Sequence, residues 1–134
     1  MLEYHVNAHR LDSHGSLVAA KEASLIADTD LAGRSDAFNP VELLLGALSA
    51  CLLKGAERVL PVLGFDLRGI EVSLHAVRQD SPPKLLSIDY LITVETDEPD
   101  QRIELLHTNI RKYGTISNTL ALAVPIAGKI VRKA

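Results

Sequence analysis

The stretch Leu43-Leu44-Leu45-Gly46-Ala47-Leu48-Ser49-Ala50-Cys51-Leu52-Leu53 constrains the fold more than any other part of the chain. Asn39-Pro40-Val41-Glu42 before it is a helix start: Asn39 caps free amides, Pro40 suits the first helical position, and Glu42 stands at the capping-box place. Polarity returns only with Lys54, Glu57 and Arg58, so the helix, expected over about Pro40 to Leu60, is apolar on every side along its first part. The apolar run is about half of the roughly 20 residues that span a bilayer, which makes it a core helix and a membrane an unexpected partner. Pro61 is expected to kink or stop the helix, and Gly64 to end whatever remains. Such a helix must be covered all round, more than one small sheet and one amphipathic helix of the same chain supply. A second copy supplies it, so a homodimer with Leu43 to Leu53 near the interface is the economical reading.

The flanks alternate instead. Tyr4, Val6 and Ala8 alternate with Glu3, His5, Asn7 and His9 in the period of a half-buried strand, and Arg10 continues the apolar parity. Asp12-Ser13-His14-Gly15 is a turn, after which Ser16 to Ala20 and Ser24 to Ala27 read as short strands. Past the helix, Ile70, Val72, Leu74 and Ala76 form one strand and Leu86, Ile88, Tyr90, Ile92 and Val94 another, joined through Asp80-Ser81-Pro82-Pro83. Ile103, Leu106, Ile110 and Tyr113 predict a second helix over roughly Pro99 to Tyr113, with Gly114 as the left-handed residue that closes it. Thr115 or Ser117 then caps a short helix through Leu122, and Ile126 to Val131 makes a last strand. This order is α+β, and 134 residues correspond to a single domain over 1–134 with a core that needs no disulfide or metal.

Several function classes fall away. A net charge of -3 without a basic run builds no field for phosphate backbones, and 4% aromatic residues give no stacking platform, so nucleic acid is not expected as a partner. No phosphate-binding glycine loop or dinucleotide fingerprint is present, and no cofactor is expected. His5 and His9 share a strand face while His14, His75 and His107 stand alone, which reads as surface histidines rather than a metal site. Ser13-His14-Gly15-Ser16 is turn chemistry rather than a hydrolase nucleophile. Met1 to Arg10 lacks the basic start and continuous apolar stretch of an export signal, and a single cysteine fits a reducing compartment, so a cytoplasmic location is expected.

That cysteine, Cys51, is the remaining candidate. Free cysteines most often pack as small hydrophobes, whereas a reactive one must be a thiolate held by nearby positive charge. Cys51 stands about three turns in from Asn39 and gains little from the helix start. Arg10 is a reasonable source of charge because of its inward parity, Arg34 in the loop before the helix is its rival, and Lys54 and Arg58 follow Cys51 on its own helix.

Asn39-Pro40 opening a Leu/Ala-rich helix that carries Cys51, a Gly64 to Gly69 turn into alternating strands, and Ser117-Asn118-Thr119-Leu120 near the end together resemble the OsmC/Ohr family of thiol-dependent hydroperoxide reductases. The resemblance covers nearly the whole chain. It implies an OsmC-like α+β fold, with antiparallel sheets around a long central cysteine-bearing helix, assembled as an intertwined homodimer with its active site at the subunit boundary. It also implies that Cys51 attacks the peroxide oxygen to give a sulfenic acid, and that Arg10 holds the thiolate.

Two departures stand out. The family's resolving cysteine precedes Ser-Asn in the pattern C-x-x-S-N, and here Gly114-Thr115-Ile116-Ser117-Asn118 puts Gly114 in that position. In the Ohr branch a glutamate directly follows Asn-Pro, whereas here Val41 does and Glu42 comes one residue later, about 100° around the helix, so Glu42 reads as a capping residue. A one-cysteine cycle completed by an external thiol reductant is therefore expected on organic hydroperoxides. The alternative is a non-catalytic dimer of the same fold that binds an apolar small molecule or is structural only.

Overall fold

The computed structural model describes Met1–Ala134. The chain forms two units, Met1–Leu44 and Leu45–Ala134, joined within one long helix. In the first unit, β1 (Asn7–Asp12), β2 (Gly15–Ala20) and β3 (Ala23–Asp28) make an antiparallel sheet in that order. The β1–β2 turn forms as its residues dictate, because Asp12 Oδ1 accepts the amides of His14 (2.8 Å) and Gly15 (3.1 Å). All six residues of β1 are exposed, so the half-buried first strand expected from alternation has no buried face within this chain. The strand also begins at Asn7, leaving Tyr4 and Val6 exposed ahead of it.

The loop after β3 is organised by Asp28, one of the few buried polar residues: its carboxylate accepts the amides of Asp30 and Arg34 at 3.0 Å each. Gly33 takes φ +81 there, a conformation that favours glycine. Helix α1 (Pro40–Leu63) then starts with the expected capping box, in which Asn39 Oδ1 accepts the Glu42 amide at 2.8 Å and Glu42 Oε1 accepts the Asn39 amide at 3.0 Å.

Of the two outcomes expected at Pro61, a kink or a stop, the helix does not stop: α1 continues to Leu63, three residues past the expected Leu60. Pro61 and Glu57 are both exposed, so the carbonyl that loses its amide partner lies on the open side of the helix, where the missing bond is tolerated. Gly64 ends the helix as anticipated, with φ +57, and the Phe65 amide closes back on Leu60 O at 3.0 Å.

The second unit holds the core. β4 (Gly69–Gln79) and β5 (Lys84–Glu95) form an antiparallel pair, α2 (Asp100–Lys112) and α3 (Thr115–Leu120) follow, and β6 (Ile126–Arg132) returns beside β5. β6 runs parallel to β5, so this sheet is mixed rather than purely antiparallel as expected. Its physical reason lies in the connection: a parallel return needs a long crossover, which α2 and α3 provide. Inward residues of β5 (Ile88, Tyr90, Ile92, Val94), of α2 (Ile103, Leu106, Ile110) and of α1 (Leu48, Leu52, Ala56, Val59) form one apolar cluster with Phe65, Val124 and Ile130. No helix is long and apolar enough to cross a membrane.

Candidate functional site

Cys51 lies in the middle of α1, half-buried, between the fully buried Leu48 and Leu52. The α1 and α2 backbones approach closely one turn later: a Cβ at Gly55 would lie 3.4 Å from Ile110 O, and this small residue lets α2 lie against α1. That contact carries the end of α2 to Cys51. A Cβ at Gly114 would lie 3.2 Å from Cys51 Sγ and only 2.5 Å from Ser117 Oγ.

Gly114 is not the left-handed residue expected to close α2. Its φ is -82 and its ψ 111, and the helix instead ends through Tyr113, whose amide reaches Asn109 O. Glycine is needed at 114 for close approach, since a side chain there would collide with Ser117 Oγ. The α2–α3 corner is closed by the Ser-Asn pair. Ser117, 1% exposed, donates its hydroxyl to Gly114 O at 3.1 Å. The Asn118 amide donates to the same carbonyl at 2.9 Å, and its side chain donates to Lys112 O at 3.3 Å. These bonds satisfy the carbonyls of Gly114 and Lys112, while neither Thr115 nor Ser117 supplies a side-chain cap to the amides at the start of α3.

The other candidates fall in different places. Arg34 is committed: its Nε and a terminal nitrogen hold both oxygens of Asp36 at 2.7 and 2.9 Å, and another donates to His14 O at 3.3 Å. That fork keeps the Asp36 carboxyl below the usual carboxylate range. Glu42 is spent in the capping box. Arg10 stands on the exposed edge strand β1, opposite Ser16. On α1, Arg58 donates to Tyr113 O at 3.4 Å and Lys54 is exposed.

One cluster escaped the sequence reading. Tyr90, 4% exposed on the inner face of β5, has its phenol oxygen 2.6 Å from His107 Nε2 and 3.2 Å from an Arg111 terminal nitrogen. Burial pushes the Tyr90 phenol up, against the pull of Arg111. It pushes His107 down, helped by Arg111 and opposed by Glu104. The available signals were the inward parity of Tyr90 and the one-turn spacing of His107 and Arg111 on α2.

With this geometry in view, residues 33–128 match the family model described as OsmC-like protein. The chain belongs to the OsmC-like family. No curated protein matches its sequence significantly. Among solved structures, the OsmC-like protein of Mycoplasma pneumoniae aligns with TM-score 0.89 at 17% identity, covering 99% of both chains. An organic hydroperoxide resistance protein OsmC from Legionella pneumophila aligns with TM-score 0.70 at 17% identity over 100% of this chain and 98% of that one. The organic hydroperoxide resistance protein OhrB of Bacillus subtilis gives TM-score 0.65 at 16% identity, covering 96% and 98%. The OsmC-like fold is thus shared across proteins of very different sequence.

Proposed function

We propose that this OsmC-like chain is a one-cysteine, thiol-dependent peroxidase for organic hydroperoxides, acting as a homodimer in the cytoplasm in oxidative-stress defence. The observation that carries the proposal is the approach of Gly114 to Cys51. In a disulfide the Cβ of one cysteine lies about 3 Å from the sulfur of the other, as the S–S length of about 2.05 Å and ordinary bond angles require. The 3.2 Å between a Cβ at 114 and Cys51 Sγ meets that requirement. The chain therefore keeps the geometry of a resolving pair while lacking the second sulfur, which supports a cycle finished by an external thiol.

In that cycle the Cys51 thiolate attacks a peroxide oxygen, the S–O bond forms as the O–O bond breaks, and the departing alkoxide takes a proton to become the alcohol. Sulfur is oxidised to sulfenic acid and the peroxide is reduced by the same two electrons. A small thiol then displaces water from the sulfenic acid to form a mixed disulfide, and a second thiol releases Cys51 with formation of its own disulfide. Arg10, from either subunit, is the proposed cation that holds the thiolate, since Arg34 is neutralised by Asp36.

The family match runs from one unit into the other, which supports reading 1–134 as one domain. The half-buried Leu43, Leu44, Leu45 and Leu53 favour a second copy as further cover for α1.

The test is chemical. One equivalent of an organic hydroperoxide is expected to give a sulfenic acid trapped by dimedone, excess peroxide to drive it to sulfinic acid, and Cys51→Ala to abolish both, read by intact mass. A folded protein that remains reduced and untrapped ends the proposal. It would favour the second reading, a non-catalytic dimer, for which the missing second sulfur is the specific support.

A further inference from the structure

The proposed reaction makes no use of the group around Tyr90. Its ring lies directly on Gly128 of β6, where any Cβ would enter the ring, so the phenol is held in one place. The Arg111 guanidinium stacks over that ring at 5.6 Å, and the His107 ring meets its edge at 5.7 Å between centroids.

The hydrogen-bond directions follow from what each group can do. A guanidinium only donates, so the Arg111 bond uses a lone pair of the phenol oxygen. Burial favours neutral His107, and with its proton on Nδ1 the ring offers Nε2 as an acceptor, the arrangement in which the Tyr90 hydroxyl accepts from Arg111 and donates to His107. A protonated His107 would aim a second cationic donor at the same oxygen and take from the Tyr90 hydroxyl, 4% exposed, the acceptor it has.

The groups facing His107 are few. From β5 there is Tyr90, and from α2 itself Glu104 and Arg111. β4 turns the apolar Ile70, Val72, Leu74 and Ala76 inward, while His75, Asp89 and Lys129 alternate to the other face of the sheet. Of these neighbours only Glu104 favours the cation, and burial with Arg111 outweighs it. Because His107 is depressed in the folded state, its contribution to stability is complete above the ordinary histidine value of about 6.5 and is lost as pH falls below that value toward the folded one.

We propose that Arg111, Tyr90 and His107 form an acid-sensitive clamp that sets where the α2–α3 corner lies against Cys51, with neutral His107 holding α2 on the sheet and protonation releasing it. His107 and Arg111 lie on the last turns of α2 before Gly114, so the seating of α2 decides how closely Gly114 and Ser117 approach the sulfur. The clamp is a positioning device, and its consequence for turnover rests on the proposed reading of Cys51.

The experiment follows the His107 ring and the Gly114 amide by NMR from pH 8 to 5 in the full chain, in the wild type, His107→Gln and Arg111→Gln. In the wild type His107 is expected to titrate below 6.5, to carry its neutral proton on Nδ1, and to shift the Gly114 amide with the same midpoint. His107→Gln keeps an acceptor for Tyr90 without a charge, and should abolish that shift of Gly114. Arg111→Gln should raise the His107 midpoint, which keeps the inference testable if His107→Gln fails to fold. A His107 midpoint at or above 6.5, a proton on Nε2, or a Gly114 amide that ignores the His107 titration would overturn the clamp. None of these readouts requires peroxide turnover, so failure of the clamp and failure of the peroxidase are told apart.

Discussion

The first and second units contain three strands each, yet they are held by different means. In Leu45–Ala134 the sheet has a buried face, and β5 alone puts Ile88, Tyr90, Ile92 and Val94 at 4% exposure or less. In Met1–Leu44 the large side chains remain open, with Leu11 at 51%, Leu25 at 43% and Ile26 at 39%. There Ala27 is the only buried apolar residue, and order comes from the strand ladders and from the Asp28 and Asp12 carboxylates tying down amides. Backbone hydrogen bonds contribute little net free energy when water competes for them, whereas apolar burial of about 25 cal/mol per Å² stabilises a sheet directly. The second unit has its own reason to be folded; the first acquires one from additional cover, which the proposed homodimer supplies.

Paired truncations test that contrast. Leu106→Ala, in the fully buried part of α2, is expected to cost about 2 to 5 kcal/mol through lost transfer energy and the cavity left behind. Leu25→Ala removes a side chain that the isolated chain leaves 43% exposed. If a second copy covers this sheet, the change should cost about 1 to 2 kcal/mol and weaken association in sedimentation at micromolar concentration. A cost below about 0.5 kcal/mol, the usual surface value, together with a folded monomer, would break the comparison and the dimer with it.

Legibility in the sequence followed the same division. The helix start at Asn39 to Glu42, the helix end at Gly64 and the alternation of β4 and β5 were all readable, because caps and periodicity are local and the core rewards them. β1 showed the same alternation without gaining a buried face, since alternation reports what a strand could bury, not what lies over it. The direction of β6 was invisible because pairing depends on the crossover and not on the strand's own residues. At the site, Cys51 stood out as the one remaining candidate for chemistry, and the resemblance gave it a role. The meeting of Gly114, Ser117 and Cys51, and that of Tyr90 with His107 and Arg111, arise from contacts between distant parts of the chain. The closing glycine of α2 was misread because Gly114 suits two demands, positive φ and close approach, that the letter does not distinguish.

A cross-link confined to the second unit sharpens the comparison. Gly114→Cys restores a sulfur beside Cys51, but its Cβ would meet Ser117 Oγ at 2.5 Å, so the change is best combined with Ser117→Ala. Since φ at 114 is -82, a side chain is not opposed by the backbone there. One equivalent of hydroperoxide should convert the double variant to an intramolecular disulfide, seen as a loss of 2 mass units (about 2 Da, two thiol hydrogens) with no dimedone adduct. The cross-link should stabilise the second unit by about 2 to 4 kcal/mol. Amide exchange in β1, β2 and β3 should be unchanged, because both sulfurs lie within Leu45–Ala134. A double variant that forms the dimedone-trapped sulfenic acid but no disulfide would contradict the approach of the two positions.

The smallest expected effect concerns the cation proposed to hold the Cys51 thiolate. Arg10 has no carboxylate partner in the chain, whereas Arg34 is held by both oxygens of Asp36, so of these two arginines Arg10 is the proposed source of charge for the thiolate. Arg10→Ala is expected to slow alkylation of Cys51 at neutral pH by roughly threefold to tenfold, a change of about 0.7 to 1.4 kcal/mol in the interaction. Arg34→Ala should leave that rate unchanged while loosening the loop that Asp28 and Asp36 organise, visible as faster amide exchange at Arg34 and its neighbours. Asp36→Ala separates the two explanations further: it frees the Arg34 guanidinium without removing it, and alkylation that then rises would mean that Arg34 can serve the sulfur once released. If Arg34→Ala slows the reaction and Arg10→Ala does not, Arg10 is not the cation that holds the thiolate.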